Sequence, residues 1–306
     1  MKSVVIFGGS GFVGAHIIRK IVKHDYRIIV PYQKTPNSEK IRFFESEEKI
    51  IHFKFEKIED PRIIKFIKES EIVLNLKTIW DDKQKEFKKA IYEFTFDLID
   101  IVKKTDPNKL FLFFSGLGVD KQSNSTRTRI IAETEEYIEF SCKNYTIIRP
   151  GIIIGGGDEF IKRLLPIFKY SLIIPLFGSG KAKVQPVFIE DVVLAIHKIM
   201  NKKFEDKNIY ELAGNEVFSY KSLYLLISKS LNIKRFFIPI PFFFLKFLVF
   251  LLDKTPINLI TSEQLLLFKT DNLSSKSRKN FKHLNIYPQK ITKIIEIYIK
   301  KIPDFQ

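Results

Sequence analysis

The stretch GGSGFVG at residues 8–14 constrains the fold of this chain more than any other feature of its sequence. It follows the apolar run SVVIF and precedes a segment whose apolar residues recur at helical spacing, namely Val13, Ile17, Ile18, Ile21 and Val22. This pattern predicts a strand, a tight turn and a helix. We expect Gly8 to permit the turn, Gly11 to let the backbone approach a bound group, and Gly14 to let the helix pack closely.

Five further apolar runs of strand length follow along the chain. They are RIIVPY (27–32), KIIHFKF (49–55), EIVLNL (71–76), KLFLFFS (109–115) and NYTIIRP (144–150). Segments between them, such as DPRIIKFIKES (60–70) and the long stretch 82–104, have the length and apolar spacing of helices. Strands that are apolar throughout and alternate with helices are typical of a parallel sheet covered on both faces. We therefore predict an α/β fold, a Rossmann-type doubly wound parallel sheet with a smaller mixed C-terminal lobe.

The glycine spacing, its position between a strand and a helix, and the repeats that follow predict a site for the pyrophosphate of a dinucleotide. The first amides of the helix would face that anion. The predicted cofactor contacts in this loop are Gly8, Ser10, Gly11, Phe12, Val13 and Gly14. Dinucleotide binding is the interpretation that these features favour, with a glycine turn that holds no ligand as the alternative.

The end of the second predicted strand bears on the choice of dinucleotide. A carboxylate there would hold a ribose 2′-hydroxyl, but the sequence has Gln33 and Lys34 instead. Lys34 is placed to meet a 2′-phosphate, so NADP(H) is favoured over NAD(H). A lysine at a strand end is also commonly an ordinary surface residue, and that alternative stays open.

The alternation of strands and helices weakens after Pro150, where prolines become frequent. We expect residues 1–155 to form the dinucleotide-binding domain and 156–306 the smaller lobe, with the chain returning to the first domain around 184–200. The lobe contains the apolar segment IPIPFFFLKFLVFLL at 238–252, which is shorter than the roughly twenty residues that span a bilayer. It needs burial inside the lobe, against another subunit, or in the lipid interface.

The net charge of +16 raises the question of nucleic-acid binding. The sequence has no recognition helix, zinc-finger spacing or aromatic RNA-binding signature, which argues against that function. Lys and Arg outnumber Asp and Glu from residue 269 to the end of the chain. This local excess favours contact with an anionic membrane surface or an acidic partner, with a solvated basic face as the alternative.

Cysteine and histidine usage bears on metals and on compartment. Cys142 is the single cysteine, and the five histidines are scattered without ligand spacing, so neither a disulfide framework nor a metal site is expected. The opening MKSVVIFGG runs from one lysine directly into strand-like residues and leaves no room for a signal or transit peptide. Taken as written, the protein is expected in the cytoplasm, peripheral to the inner (plasma) membrane.

The loop GGSGFVG, the stretch IIRPGIIIG (147–155) and the stretch VQPVFIEDV (184–192) together resemble the extended and atypical short-chain dehydrogenase/reductase superfamily, which includes NAD-dependent epimerases and dehydratases. More narrowly, VPYQK, QPVFIEDV, IPIPFFFLKFLVFLL and TPINLITSEQLLLFKTDNL are similar to the nucleotide-binding accessory subunit of respiratory complex I and its bacterial relatives. The resemblance covers almost the whole chain. It implies a bound dinucleotide and, as partners, complex I subunits or quinone-pathway proteins.

The resemblance also implies where catalytic residues would lie. Active members of the superfamily carry a tyrosine and a lysine four residues apart on one helix, and the lysine lowers the pKa of the phenol so that it serves as general acid or base. In this chain the matching positions, within SNSTRTR (123–129), are Ser125 and Arg129. A serine hydroxyl is too weak an acid and too short to replace a phenol, and arginine differs from lysine in shape and hydration. Ser115 is what remains of the upstream serine motif.

The same resemblance places further residues beside the cofactor. These positions lie at the ends of the fourth, fifth and sixth predicted strands and in the helix that would carry the catalytic pair. They are Asn75, Leu76, Ser115, Arg129, Arg149 and Pro150. Ordinary packing at strand ends is the alternative for Asn75, Leu76, Arg149 and Pro150.

Two functions of different classes remain open at this point. The first is an NADP(H)-binding, non-catalytic, membrane-peripheral accessory or assembly protein related to the nucleotide-binding subunit of complex I (NADH:quinone oxidoreductase). The second is an NAD(P)-dependent oxidoreductase, epimerase or dehydratase that acts on a sugar nucleotide or a quinone-biosynthesis intermediate. A combination of the two, with Arg129 or a residue of the small lobe supplying new chemistry, is a third. The missing tyrosine and lysine favour the first.

Overall fold

The computed structural model describes residues 1–79, 84–202, 207–245 and 262–299. Its strands are β1 Lys2–Phe7, β2 Tyr26–Tyr32, β3 Ile50–Lys54, β4 Ile72–Asn75, β5 Leu110–Phe114, β6 Tyr145–Pro150, β7 Ile153–Ile154, β8 Ile173–Phe177, β9 Lys183–Val184, β10 Val187–Phe188, β11 Asn208–Leu212, β12 Phe218–Ser219 and β13 Phe236–Ile240. Its α-helices are α1 Phe12–Ile21, α2 Ser38–Glu45, α3 Pro61–Glu69, α4 Gln84–Lys88, α5 Phe94–Thr105, α6 Thr126–Ser141, α7 Glu159–Tyr170, α8 Ile189–Asn201, α9 Tyr220–Ser230, α10 Ser262–Leu267 and α11 Ile291–Ile299. A π-helical turn, Lys89–Glu93, joins α4 to α5, and a 3-10 turn covers Phe281–Leu284.

A seven-stranded sheet in the order β11-β6-β5-β4-β1-β2-β3 forms the centre of the molecule, and all its neighbouring strands are parallel. Helices α1 and α8 bury apolar residues on one face, and α3, α5 and α6 do so on the other. Because both faces are covered, the strands carry apolar side chains in both directions, which explains their continuous apolar runs. The structure confirms the predicted α/β class and the doubly wound parallel sheet.

The chain returns to the main sheet after residue 155. Helix α8 packs against α1. Strand β11 at 208–212 also pairs with β6, although the sequence analysis assigned those residues to the smaller lobe. Their apolar content is too ordinary to identify a sheet strand from the sequence. The proposed division into two domains is thus less simple than a single cut at 155.

The smaller lobe has its own apolar core, formed mainly by α7, α9, α11 and strand β8. Strand β8 pairs in parallel with β13, and β9 pairs with β12 in antiparallel fashion. The apolar segment predicted at 238–252 is described as far as Leu245, and its remainder, 246–252, lies outside the described residues. Within the described ranges, every helix is too short or too polar to cross a membrane.

Replacing Gly8 by alanine should lower the free energy of unfolding by about 2 kcal/mol or more, measured by urea denaturation. Gly8 has φ +78°, and a Cβ there would lie 2.8 Å from the backbone carbon of Leu76, which a neighbouring strand holds in place. Gly116→Ala is the matched control, because a Cβ at Gly116 meets open space. Equal stability of the two variants would contradict the close approach at Gly8.

Candidate functional site

The candidate site lies at the carboxyl ends of the central strands. Strand β1 has β2 on one side and β4 on the other, so the order of the sheet reverses beside it. A crevice forms at such a reversal because the connecting loops diverge to opposite faces of the sheet. The glycine loop between β1 and α1 forms the floor of this crevice.

The loop is built for close approach of a ligand to its backbone. A Cβ at Gly14 would lie 2.5 Å from the Gly9 Cα, so only glycine lets α1 start this close to the turn. The amide of Gly11 donates to the Gly8 carbonyl oxygen at 2.9 Å. Gly11 is also the N-cap of α1, and its lack of a side chain leaves the first amides of the helix without a side-chain cap. This cradle fits a pyrophosphate, because uncapped amides and the helix dipole both favour an anion there.

Other side chains surround the loop. Lys40 of α2 donates from its Nζ to the Ser10 carbonyl oxygen at 2.5 Å, and burial together with the charge of Arg19 lowers the pKa of Lys40. Phe12 lies edge-on to the His16 ring, with 5.4 Å between ring centroids. Val13 packs into the main core. Of the predicted loop contacts, Gly8, Gly11 and Gly14 shape the backbone, whereas Val13 is directed inward.

The ends of β2 and β4 meet through a lysine that the sequence analysis did not single out. Lys77, two residues after β4, donates from Nζ to the Oε1 of Gln33 at 2.8 Å. Its Nζ also lies 3.7 Å from the centroid of the Phe94 ring. Burial, and secondarily the positive charge of Lys89, lowers the pKa of Lys77 to about 8. A partly buried cation therefore lies beside the end of β2.

Gln33 and Lys34, the residues predicted to select the dinucleotide, occupy different surroundings. Gln33 donates from its Nε2 to the Glu56 carbonyl oxygen at 3.3 Å and so bridges the ends of β2 and β3. Lys34 is exposed, and its ammonium has no hydrogen-bond or ion-pair partner among the described residues. The lysine expected to meet a 2′-phosphate is therefore free in solvent, whereas Lys77 is the positioned one.

Asn75 and Leu76 end β4 in contact with the glycine loop. The Asn75 side chain is buried, donating to the Oγ1 of Thr95 at 3.0 Å and accepting from the Lys77 amide at 3.1 Å. Leu76 donates its amide to the Phe7 carbonyl oxygen at 2.9 Å. The backbone of both residues lies at the crevice, whereas the side-chain amide of Asn75 is hydrogen-bonded to Thr95 and Lys77.

Ser125 and Arg129, which the resemblance assigns to the tyrosine and lysine positions, both have structural roles. Ser125 is buried and is the N-cap of α6, where its Oγ accepts from the Thr128 amide at 3.2 Å. The same hydroxyl donates to the Oε2 of Glu263 at 2.6 Å, and the Thr126 amide donates to the other oxygen of Glu263 at 3.1 Å. Arg129 donates to the Ser123 carbonyl oxygen at 2.6 Å and to the Thr126 hydroxyl at 3.0 Å. Its guanidinium thus binds the start of its own helix.

A buried ion cluster joins the ends of β5, β6 and β11. The Ser115 hydroxyl donates to the Oε1 of Glu135 at 2.5 Å, and the Nε of Arg149 donates to the same oxygen at 3.0 Å. The Nη1 of Arg149 lies 3.5 Å from the Oε1 of Glu211. Burial acts to lower the pKa of Arg149, but the two glutamates outweigh it and raise that pKa. Pro150 is buried beside the cluster. Ser115 and Arg149 therefore lie close together because both donate a hydrogen bond to Glu135.

Sequence reasoning missed Lys77, Lys40, Glu135 and Glu263. Lys77 had a usable signal, because it directly follows the predicted site residues Asn75 and Leu76. Glu263 had none, since it lies 138 residues from Ser125 in the chain and only the fold brings them together.

The described residues contain no group of three or more His, Cys, Asp or Glu side chains arranged to hold a metal ion. Cys142 is buried, and burial raises its thiol pKa to about 12. This thiol is therefore a packing residue rather than a nucleophile.

Comparison with known proteins identifies the family. The NAD dependent epimerase/dehydratase family matches residues 4–213, which include the glycine loop, β4 and the degenerate helix α6. The chain belongs to this family. The matched region contains the glycine cradle as well as Ser125 and Arg129.

One curated relative is a respiratory-chain protein. The chain is 24% identical to NADH dehydrogenase (ubiquinone) 1 alpha subcomplex subunit 9, mitochondrial, of Arabidopsis thaliana, over 94% of this chain and 74% of the relative. The similarity to complex I subunits that the sequence motifs indicate is thus found across nearly the whole chain.

Solved structures of sugar-nucleotide enzymes have the same fold. UDP-glucose 4-epimerase from Thermotoga maritima, solved with UDP-glucose, matches with a TM-score of 0.72 at 16% identity over 97% of both chains. dTDP-glucose 4,6-dehydratase from Bacillus anthracis, solved in complex with NAD, matches with a TM-score of 0.73 at 14% identity, covering 100% of this chain and 98% of the dehydratase. At these identities the likeness concerns the fold alone.

Replacing Lys77 by methionine should raise the free energy of unfolding of the ligand-free protein at pH 7 by up to about 3 kcal/mol. The folded-state pKa of about 8 lies below the ordinary value of 10.5, so the charged form is disfavoured in the folded protein. Below pH 8 Lys77 is protonated in both the folded and the unfolded state, so the folded state bears the full free-energy cost of burying the charged ammonium. Between pH 8 and about 10.5 only the unfolded state keeps the proton on Lys77, so the stability of the parent protein rises with pH. The added stability of Lys77→Met relative to the parent protein therefore disappears over this range.

Urea denaturation at several pH values measures this difference. Lys23→Met is the control, because Lys23 is exposed in the connection between α1 and β2, at the opposite ends of the strands from the crevice. A Lys77→Met variant that is less stable than the parent protein at pH 7 would contradict the expected cost of burial.

Proposed function

We propose that this protein binds NADP(H) without using it for hydride transfer, and that it serves as a membrane-peripheral accessory or assembly protein of a complex I-type NADH:quinone oxidoreductase. The observation that carries the proposal is the use of Ser125 and Arg129 as helix-capping and backbone-binding residues. The domain division, 1–155 for the dinucleotide and 156–306 for partners, with returns to the first sheet, is part of the same proposal.

The absence of an acid–base pair at these positions supports a non-catalytic role. A nicotinamide dinucleotide supplies a hydride in oxidoreductases, but a proton must then be exchanged with the substrate by a nearby group. Ser125 is buried and donates to Glu263, so its hydroxyl is not directed to a substrate. Arg129 keeps its charge at the working pH of any enzyme and cannot act as the base.

The cradle and its surrounding cations support a bound dinucleotide. The glycine loop and the uncapped start of α1 match a pyrophosphate, and Lys34, Lys40 and Lys77 place positive charge around the ends of β1 and β2. No carboxylate follows β2 directly to accept a ribose 2′-hydroxyl. These features favour NADP(H) over NAD(H).

A surface of exposed aromatic and aliphatic side chains on the smaller lobe supports docking to a membrane. It comprises Tyr170, Leu172, Ile173, Phe236, Ile238, Phe243 and Phe244. Strand pairing brings Phe236 next to Ile173, and Lys234 lies at its edge. Apolar residues flanked by cations suit the interface of an anionic bilayer, where the rings enter the acyl boundary and the lysines meet phosphates. We place the protein at the inner (plasma) membrane on this basis.

Complex I partners are supported by the Arabidopsis relative, whose similarity extends through the smaller lobe. The alternative, an NAD(P)-dependent reductase, epimerase or dehydratase of a sugar nucleotide or quinone-pathway intermediate, is supported by the family and by the fold of its solved members. The two proposals differ in whether bound nucleotide turns over.

The purified protein should contain NADP(H), and added NADPH should stabilise it without being consumed. A ligand at about a hundredfold its dissociation constant adds roughly 2.7 kcal/mol to the free energy of unfolding. The nucleotide is identified by chromatography after denaturation. Oxidation of NADPH by a short-chain quinone is followed by absorbance, whereas conversion of UDP-glucose or dTDP-glucose, which would regenerate the cofactor, is followed by chromatography of the sugar nucleotides. Turnover that Ser125→Ala or Arg129→Ala abolishes would overturn the non-catalytic proposal.

Replacing Phe243 and Phe244 together by glutamate should weaken sedimentation with anionic phospholipid vesicles by about tenfold or more, since each buried ring contributes about 2 kcal/mol. Their exposed fractions are 78% and 63%. Phe140→Glu is the matched control, because this phenylalanine is 90% exposed but lies on α6, in the other domain. Equal losses in both variants, or no binding by the parent protein, would count against membrane docking.

A further inference from the structure

Lys77 is a partly buried cation that the described part of the chain leaves without an anion. Its hydrogen-bond acceptor is the neutral amide oxygen of Gln33, and its remaining contact is the face of Phe94. After burial, the next influence on its pKa from the described residues is that of another cation, Lys89. Buried charges are ordinarily paired, because desolvation is costly without an opposite charge. Among the described residues, Lys77 therefore lacks the opposite charge that an anionic ligand would supply.

The position of Lys77 indicates which anion completes it. Its backbone nitrogen lies 3.0 Å from where a Cβ of Gly8 would stand, so Lys77 begins directly beside the glycine cradle. Its side chain then extends past the end of β1 to Gln33, at the end of β2. In this type of crevice the pyrophosphate lies at the cradle and the adenosine ribose lies at the end of the second strand. Lys77 thus extends from the predicted pyrophosphate position to the predicted position of the adenosine ribose.

We propose that Lys77 recognises the 2′-phosphate of the adenosine ribose, and that Lys77, rather than Lys34, is the main determinant of a preference for NADP(H). The Lys77 ammonium exchanges the Gln33 oxygen for a phosphate oxygen, and the Gln33 amide stays anchored to the Glu56 carbonyl. A charge-assisted hydrogen bond replaces a neutral acceptor, which is the stronger interaction. The low pKa of Lys77 supports this assignment, because a dianionic phosphate favours the charged form.

This inference rests on the proposed function only in requiring that an adenine dinucleotide binds. It differs from the expectation based on the sequence, which assigned the 2′-phosphate to Lys34. Lys34 is exposed to solvent and therefore screened, so its contribution is smaller.

The test uses 2′,5′-ADP and 5′-AMP as probes, which differ in the 2′-phosphate alone, and NADPH with NADH as the complete ligands. Isothermal titration gives the dissociation constants for the parent protein and for Lys77→Met, Lys77→Arg, Lys34→Met and Lys23→Met. Lys77→Met should weaken 2′,5′-ADP and NADPH by about tenfold or more and leave 5′-AMP and NADH within about twofold. Lys77→Arg should keep most of the preference, Lys34→Met should lose a smaller part, and Lys23→Met should change nothing.

Thermal unfolding supplies a second readout, namely how the stability difference between Lys77→Met and the parent protein changes when 2′,5′-ADP is added. A lysine with a purely structural role would leave that difference unchanged by the ligand. Without ligand, Lys77→Met should melt above the parent protein, and saturating 2′,5′-ADP should narrow this difference by about 1.4 kcal/mol for each tenfold loss of affinity. Equal weakening of all four ligands, or loss of the preference in Lys34→Met but not in Lys77→Met, would overturn the assignment while leaving dinucleotide binding intact. A parent protein that binds NADH as tightly as NADPH would overturn both the assignment and the NADP(H) preference. A parent protein that binds none of the four would overturn the proposed function as well.

Discussion

The left-handed turn at Gly8 is the constraint on which the remainder of the molecule depends. It brings the end of β1 within van der Waals contact of the Leu76 backbone and directs the next residues into α1. Because β4 lies on one side of this turn and β2 on the other, the turn also fixes the floor of the crevice. The uncapped start of α1, the approach of Lys40 to Ser10 and the reach of Lys77 to Gln33 all follow from it.

The two halves of the crevice differ in their electrostatics. Around the ends of β1 and β2, the hydrogen bonds that Lys40 and Lys77 make within the described residues go to neutral oxygens, and the first amides of α1 have no side-chain cap. Around the ends of β5 and β6, the positive charge of Arg149 is satisfied by Glu135 and Glu211. Dinucleotide phosphates would be attracted to the first half, whereas the second is already neutralised from within. This asymmetry agrees with a chain that holds a nucleotide by its adenosine and pyrophosphate portions.

Strands β1–β6 could be predicted from the sequence because each is an apolar run bounded by polar residues, as expected for strands buried on both faces, whereas β11 lacks such a run. Helix α2 could not, since it is short and has one fully buried residue, Phe44. The predicted helix over 82–104 is interrupted by a π-helical turn, which an unbroken apolar spacing does not reveal. In the site, the glycine loop was evident because its chemistry is local. Contacts of Glu263 and Glu135 depend on side chains that only the tertiary fold brings together.

The hydrogen bond between Ser125 and Glu263 joins helix α6 to the smaller lobe. Glu263 belongs to α10, and Leu265 of the same helix packs with Leu245 at the base of the exposed aromatic surface. One short helix thus contacts both the N terminus of α6 and the segment proposed to dock. A tyrosine at position 125 would fill the space of this carboxylate and remove the hydroxyl that caps α6, since a phenol oxygen lies too far from its own backbone to accept from the Thr128 amide. The Ser125 hydroxyl therefore both caps α6 and joins it to the smaller lobe through Glu263.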